Sequence, residues 1–187
     1  MESKPNSLHQ FLKTETKRLH QDAEKSLKAE ELFSPALKQA ELIDHLKIQA
    51  ASHQRLKEAL NTFKGSSFLH SFWPVEDFAA LAYHDLNNFE VSSNPLPPEV
   101  NFENPYQAVG ALYVINGSSL GRRHIGKALK AKVKQWQIKP LQFYPPKANQ
   151  GISWPLFCEN LNKLELTKEE RAQVLVGAKN TFEVFIN

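Results

Sequence analysis

The sequence contains little of what builds disulfide, zinc-thiolate or membrane proteins. It has one cysteine and one methionine in 187 residues, and no run of about 18 apolar residues that could span a membrane. A lone thiol, Cys158, excludes an internal disulfide framework and a multi-thiolate zinc site. Because cysteine-poor chains are typical of reducing compartments, and because MESKPNSLHQ lacks the apolar core of a signal peptide, we expect a cytoplasmic protein.

Acidic residues are missing from one long stretch. The formal net charge of the chain is only +3, but no Asp or Glu occurs between Asn104 and Cys158. That stretch contains eight basic residues, and the rest of the chain is net negative. Such asymmetry favours an anionic partner for this part of the protein, although a solvated helix face would give the same pattern. The basic residues are Arg122, Arg123, Lys127, Lys130, Lys132, Lys134, Lys139 and Lys147.

The sequence shows no sustained period-two alternation and no internal repeat, so it does not predict a sheet. Because proline breaks helix interiors, long helices are expected in the proline-free windows, where apolar residues recur at helical spacing. A shorter helix is predicted over Val75–Asn88, while 90–104 and 138–151 are rich in Pro and Asn and are expected to be surface loops. We therefore predict an all-α single domain over 1–187 with six or more helices. The windows are 6–34, 36–73, 106–139 and 156–187.

Two helix starts carry recognisable signals. Ser34 followed by Pro35 predicts an N-cap and a first helical residue. Thr167 followed three residues later by Glu170 predicts a capping box.

Glycine is scarce, yet it is concentrated in one predicted helix. Four of the seven glycines, Gly110, Gly117, Gly121 and Gly126, lie there, and each costs about 1 kcal/mol of helix stability relative to alanine. At about 100° per residue the first three share a face, which leaves a strip of bare backbone that something flat could approach. Tight helix–helix packing through small residues is the alternative. The spacing is not that of a dinucleotide-binding loop.

Among seven histidines, His20 is distinguished by its neighbours. It lies at the edge of an apolar stripe, with Thr16 one turn before it and Glu24 one turn after it on the same face. A carboxylate at i+4 can orient an imidazole, as it does for many metal-bound histidines. Lys13, two turns earlier, could meet an anionic group of a ligand. The Glu-x-x-His and His-Glu-x-x-His patterns are absent, which excludes the usual di-iron and zinc-protease sites.

Two segments together resemble a known family. Leu12–Glu24 (LKTETKRLHQDAE) resembles the first helix of heme oxygenases, and Tyr113–Ile125 (YVINGSSLGRRHI) resembles the distal helix of their bacterial, biliverdin-producing branch. Weaker matches follow in the expected order at Ala79–Asn88, from Phe143 to Phe157, and at Ala178–Phe182. The resemblance implies a heme oxygenase-like helical bundle that holds heme between the first, proximal helix and a glycine-bearing distal helix.

The resemblance also implies roles for single residues. His20 would be the proximal ligand of the heme iron, and Glu24 would bind its other ring nitrogen. Basic residues at the pocket mouth, Lys13 or Lys28, would pair with the heme propionates, and each choice would rotate the heme differently. Thr16 and Tyr113 would contact the heme.

On the distal side, Gly117 and Gly121 would lie over the heme face and leave room for oxygen, with Ser118 between them. Relatives tend to have a small residue after the second glycine, where this chain has Arg122. Pointing inward, Arg122 would obstruct oxygen or bind a propionate; pointing outward, it would belong to the basic face.

The implied reaction is the oxygen-dependent opening of heme, at once substrate and cofactor, to biliverdin, carbon monoxide and ferrous iron. Electrons would come from a ferredoxin or a reductase, because the chain has no flavin, nicotinamide or iron–sulfur motif, and the biliverdin could supply a photoreceptor. One alternative is a non-catalytic heme carrier or sensor of the same fold. Another is a thiamine-degrading or related hydrolase, which would need Cys158 as nucleophile. The basic stretch 122–134 has no interleaved aromatic residues, so nucleic-acid binding is not expected.

Overall fold

The computed structural model describes residues 7–73, 76–145 and 154–186. Within these ranges the secondary structure is entirely helical, which confirms the all-α prediction, and none of the described helices could cross a membrane. Three short 3₁₀ segments, Ala29–Phe33, Asn61–Phe63 and Ser67–Phe72, join the longer elements. The α-helices are α1 (Leu8–Glu15), α2 (Lys17–Ser26), α3 (Gln39–Leu60), α4 (Phe78–Asn87), α5 (Pro105–Gln135), α6 (Trp154–Asn162) and α7 (Lys168–Ile186).

The first predicted window is broken at Thr16, between α1 and α2. This residue has φ −103° and ψ 2°, and its buried hydroxyl donates a 2.8 Å hydrogen bond to the carbonyl of Leu12. A threonine that bonds back to the preceding turn competes with the regular helical pattern, so the helix bends there. The break sets the direction in which α2, with His20, leaves α1.

The helix start predicted at Ser34 and Pro35 is wrong, since α3 begins at Gln39. The Ser34 hydroxyl accepts the amide of Ala36 at 3.1 Å and closes a turn instead. The cap of α3 is Lys38, whose N–H donates to the Glu41 carboxylate at 2.8 Å. A serine before a proline favours a turn as readily as a cap, and here the turn forms.

The capping box predicted at Thr167 and Glu170 is confirmed. The Thr167 amide donates to the Glu170 carboxylate at 2.8 Å, and the Glu170 amide donates to the Thr167 hydroxyl at 3.2 Å. This box starts α7, so the window 156–187 contains two helices, α6 and α7. The helix predicted over Val75–Asn88 is observed as α4, with Asp77 as its N-cap; Val75 itself lies outside the described residues. The segment 90–104 has no helix, as expected. Of the loop expected over 138–151, the part 138–145 is irregular, and 146–151 lies outside the described residues.

The core is built around α5, which packs along α7, and around the contact of α3 with α4. The residues that helical spacing marks as inward-facing on α3 and α7 are buried: Leu42, Leu46, Ala50, His53, Leu56 and Leu60 on α3, and Val174, Ala178, Phe182 and Phe185 on α7. At the α5–α7 crossing the backbones touch: a Cβ at Gly110 would lie 2.0 Å from the Val174 carbonyl oxygen, and one at Gly177 would lie 1.9 Å from that of Gln107. Gly110 therefore serves helix packing, the alternative considered for the glycine strip.

Gly126 serves a similar purpose further along α5. A Cβ there would lie 2.4 Å from the carbonyl oxygen of Tyr144, in the irregular segment that follows the helix. Two of the four glycines of α5 thus allow another stretch of backbone to approach closely.

Candidate functional site

The face of α5 that carries Tyr113, Gly117 and Gly121 contacts α1 and α6. The Tyr113 ring contacts the ring of His9 in α1 at 6.2 Å between centroids, and that of Trp154 in α6 at 5.4 Å. A Cβ at Gly117 would lie 3.3 Å from the end of the Trp154 indole, whereas a Cβ at Gly121 would meet nothing within 4 Å. The glycine strip is therefore covered by an indole at one position and open at the other.

His20 lies on α2 with 59% of its side chain exposed. Its Nδ1 is 3.5 Å from a carboxylate oxygen of Glu24, one turn further along the helix. On another side the ring meets Phe182 of α7 edge-on, at 5.8 Å between centroids. Because the carboxylate lies beside Nδ1, Nε2 is the ring nitrogen left for a metal ion or another ligand.

Thr16 and Lys13 differ in their surroundings. Thr16 is buried at the bend and its hydroxyl is bonded to the main chain. Lys13 is exposed on α1, and its charge adds to burial in lowering the pKa of His9. His9 is therefore uncharged at neutral pH.

Two residues of this region, His9 and Trp154, were not among the predicted site residues. His9 is half-buried between Tyr113 and Trp154, and its backbone amide donates to the Asn162 side chain at 3.0 Å. Trp154 stacks on Phe157 with the ring planes 8° apart. The contacts of His9 with Trp154 and Asn162 join segments more than 140 residues apart, so local sequence patterns contain no signal for them.

Tyr113 and Ser118, both predicted to belong to the site, are held by the helix that carries them. Burial raises the pKa of Tyr113 to about 12, so the phenol keeps its proton at neutral pH. The Ser118 hydroxyl donates to the Ile115 carbonyl at 2.7 Å. Its hydrogen therefore points back along α5.

Arg122 is buried, with 6% of its surface exposed. Its guanidinium carbon lies 3.7 Å from the centre of the Phe78 ring, and Nη1 donates to the Phe143 carbonyl at 3.2 Å. Nη2 lies 3.8 Å from the Glu76 carboxylate. Burial lowers the pKa of Arg122 to about 10, so it remains a cation at neutral pH. A contact between Arg122 and a propionate stays a prediction.

A cavity of about 320 Å³ opens on another side of α5, against α3 and α4. None of the residues predicted to contact heme lines it. Its apolar floor includes Phe78, Leu112 and Ile115, with the buried His53 beside them. This cavity is separate from the glycine face.

The residues at the glycine face fit a porphyrin-bound iron better than a free metal ion. Within the described parts of the chain no group of three or more His, Cys, Asp or Glu side chains could hold a metal ion. A porphyrin supplies four nitrogens of its own, so one histidine is enough as a protein ligand. The exposed imidazole of His20 would serve as that ligand, and the bare backbone at Gly121 would offer a surface that a flat ring can approach.

The family model for heme oxygenases matches residues 6–187. The chain belongs to the heme oxygenase family. Two solved structures share the fold. The heme oxygenase of Neisseria meningitidis, known with NO and CO bound, is 22% identical, with a TM-score of 0.71 over 96% of this chain and 88% of that one. The heme oxygenase of Leptospira interrogans is 20% identical, with a TM-score of 0.74 over 96% of this chain and 97% of that one. No curated protein matches the sequence significantly.

Membership of this family makes the chain a heme-cleaving enzyme and confirms the resemblance found in the sequence. It favours the enzyme over a non-catalytic carrier or sensor of the same fold. The hydrolase alternative has no support at Cys158, because burial raises the pKa of this half-buried thiol and a reactive cysteine needs the opposite shift.

Proposed function

We propose that this heme oxygenase binds heme between α2 and the glycine face of α5, with His20 as the iron ligand. The observation that carries the proposal is the exposed imidazole of His20 with the Glu24 carboxylate 3.5 Å from its Nδ1. In this arrangement Glu24 holds the ring orientation and makes Nε2 a better electron donor. Phe182, edge-on to the same ring, limits its rotation.

On the opposite heme face we assign Gly117, Ser118 and Gly121 to the distal wall. The open backbone at Gly121 supports this role, because a side chain there would occupy the space that oxygen needs. Trp154, which covers Gly117, supplies an apolar wall that keeps water away from this part of the site. Tyr113, protonated at neutral pH, can donate a hydrogen bond at the same edge.

We assign the propionates to basic residues at the mouth. Lys13 is exposed on α1 and free to turn toward an anionic group at the pocket entrance. Lys28, also exposed and held in the left-handed region with φ 50°, is the alternative anchor. Thr16 contributes by bending the chain between Lys13 and His20.

Bound heme supplies the redox-active iron, and the chain's own residues hold it, orient it and shape the space above it. Electrons then have to come from outside, from a ferredoxin or a reductase. Exposed lysines of the acid-free stretch form a surface suited to an acidic donor. They are Lys127, Lys130, Lys134 and Lys139. The biliverdin would pass to a photoreceptor that binds it. We place the protein in the cytoplasm, a location favoured by its single thiol.

Titration with hemin followed by reduction under oxygen tests this function. We expect a histidine-ligated heme spectrum on mixing, and its replacement by biliverdin absorption once electrons and oxygen are added. A complex that forms but releases no biliverdin with any donor would instead support the carrier. No complex at all would reject the assigned site.

A further inference from the structure

Arg122 follows Gly121 directly in the chain, yet its side chain lies on a different side of α5. At about 100° per residue it is turned by about 140° from Gly117 around the helix axis. The guanidinium carbon is 3.7 Å from the centre of the Phe78 ring and 5.1 Å from that of Phe143. It therefore faces the protein interior and not the glycine face.

The polar contacts of this guanidinium reach two other parts of the chain. Nη1 donates to the main-chain carbonyl of Phe143 at 3.2 Å, and Nη2 is 3.8 Å from the carboxylate of Glu76, just before α4. Because the guanidinium is a rigid planar fork, two partners in different directions fix its orientation. Arg122 thus links the middle of α5 to the segment 141–145 and to the start of α4.

The segment 141–145 is itself held from both sides. The buried carboxylate of Asp85, in α4, accepts the amides of Gln142 and Phe143, each at 2.9 Å. The Phe143 peptide groups therefore have partners from two helices, with Asp85 on the N–H and Arg122 on the carbonyl. Tyr144, which follows Phe143, lies directly against the α5 backbone at Gly126. Arg122 is consequently tied to a well-anchored piece of main chain.

The glycine face of α5 has little to hold it in comparison. A Cβ at Gly121 would touch nothing within 4 Å, and one at Gly117 would touch only the Trp154 indole. Glycines in a helix allow it to bend, since they add backbone freedom and remove side-chain packing. Two buried polar side chains flank these glycines: Asn116 donates to the Phe72 carbonyl at 3.1 Å, and Arg122 donates to the Phe143 carbonyl at 3.2 Å.

We infer that Arg122 is a positioning residue, which fixes the backbone of Gly117–Gly121 by tying α5 to Phe143 and Glu76, and that it is not a propionate ligand. This inference rests on the proposed function, because the backbone it fixes is the assigned distal wall. The sequence left two orientations open for Arg122, toward the heme or toward solvent. The structure has neither, because the side chain is buried against Phe78 on a different side of α5 from the glycine face. The larger residue after Gly121 then obstructs nothing, because it occupies the interior.

Hydrogen exchange of the ligand-free protein tests the restraint. Arg122→Met keeps the length and the apolar contacts of the side chain but removes the fork, and Arg123→Met is the matched control on the same helix. We expect amides of 117–126 to exchange roughly tenfold faster in Arg122→Met, with α3 and α7 unchanged and the control like wild type. Exchange that is unchanged, or that rises equally in all helices, would overturn the inference. Should Arg122→Met not fold, Arg122→Lys, which keeps the cation but not the fork, serves in its place.

A comparison of hemin with hemin dimethyl ester tests the propionate alternative. A positioning residue changes both affinities by the same factor, so their ratio should stay within about twofold of wild type. A loss confined to hemin, with a change of roughly tenfold in the ratio, would make Arg122 a propionate ligand and overturn the inference.

The carbon monoxide complex provides a readout that a purely structural role would leave unchanged. We expect its C–O stretching band to broaden in Arg122→Met, while the control Arg123→Met keeps the wild-type band. An unaltered band would show that the distal wall does not depend on Arg122. If the wild-type protein takes up neither porphyrin, the proposed function fails, while the exchange result still decides whether Arg122 restrains α5.

Discussion

The rings of His20 and Phe182 meet edge-on, with their centroids 5.8 Å apart and their planes 69° apart. This contact joins α2 to α7, while the Glu24 carboxylate lies on another side of the imidazole. The ring is therefore held in place even though more than half of the side chain is exposed. An exposed but oriented imidazole is suited to bind a ligand that arrives from solvent.

Replacing His20 with alanine should remove the histidine-ligated hemin spectrum without unfolding the protein. The side chain is exposed, and substitutions at such positions usually change the free energy of unfolding by less than about 0.5 kcal/mol. The measurements are the absorption spectrum of the hemin complex and the melting temperature of the ligand-free protein. His70→Ala, also at an exposed position, is the control and should behave like wild type. If His20→Ala and wild type give the same spectrum, the ligand is another histidine, with His124 and His84 next to be tested.

Gly121→Leu should leave the ligand-free protein folded and reduce biliverdin formation sharply. Nothing lies within 4 Å of a Cβ at this position, and leucine has a higher helix propensity than glycine by up to about 1 kcal/mol. The new side chain would, however, fill the space above the heme. Melting temperature and biliverdin absorption together measure the two effects.

Gly110→Ala is the matched comparison on the same helix. Its Cβ would lie 2.0 Å from the Val174 carbonyl oxygen, so this variant should lose stability by at least about 1–3 kcal/mol. A Gly121→Leu protein that melts early, while its folded fraction still cleaves heme normally, would mean that Gly121 serves packing and not the distal site.

The stability of the protein should fall steeply as the pH drops below about 6.5. Burial, followed in importance by the charge of Arg122, lowers the pKa of His53 to about 3, and burial lowers that of His45 to about 4. Both histidines stay neutral in the folded state over a range in which the unfolded chain takes up protons. Their contribution is complete above the unfolded pKa and is lost as the pH falls toward the folded pKa. The loss is at most about 1.4 kcal/mol per pH unit for each histidine.

His53→Phe should make this decline shallower, because phenylalanine carries no titratable proton and is apolar like Phe78, Phe143 and Phe185, whose rings contact His53. Melting temperatures between pH 4 and 7 measure the slope, with the exposed His70→Phe as control. His45, whose pKa is also lowered by burial, still contributes a slope in this variant. Parallel curves for wild type and His53→Phe would show that His53 does not couple folding to protons.

Turnover driven by an acidic ferredoxin should slow as salt is added. Exposed charges are screened over about 8 Å at physiological ionic strength, so association on a basic surface weakens. A variant with Lys127, Lys130 and Lys134 changed to glutamine should be slower at low salt and less dependent on salt. If both proteins respond equally, the acid-free stretch is a solvated face, as the alternative interpretation held.

Helical spacing predicts α3 and α7 well because their apolar residues are buried by the whole bundle. Leu42, Leu46 and Leu56 on α3, like Val174 and Ala178 on α7, are fully buried at the predicted positions. Helical spacing does not predict where a helix is interrupted. Thr16 interrupts the first helix through one hydroxyl bond to Leu12, and apolar periodicity continues across that bond.

The glycines show the same limit at the site. Spacing alone places Gly110, Gly117 and Gly121 on one face, but the first packs against α7, the second faces Trp154 and the third is open. Which neighbour each glycine meets depends on α6 and α7, which follow much later in the chain. The spacing therefore predicts the glycine strip, but it contains no information on which glycine packs against another helix and which is open to a ligand.

The two close backbone contacts of α5 have a mechanical consequence. Gly110 is pressed against α7 and Gly126 against Tyr144, so two backbone contacts about 24 Å apart, at 1.5 Å per residue, support the first two-thirds of α5. Ser118, next to Gly117, lies midway between these two contacts. Between these contacts α5 is held by side chains, because Asn116 donates to the Phe72 carbonyl and Arg122 to the Phe143 carbonyl. The part of the helix assigned to the heme can therefore shift as far as those two hydrogen bonds yield, while both backbone contacts keep their packing.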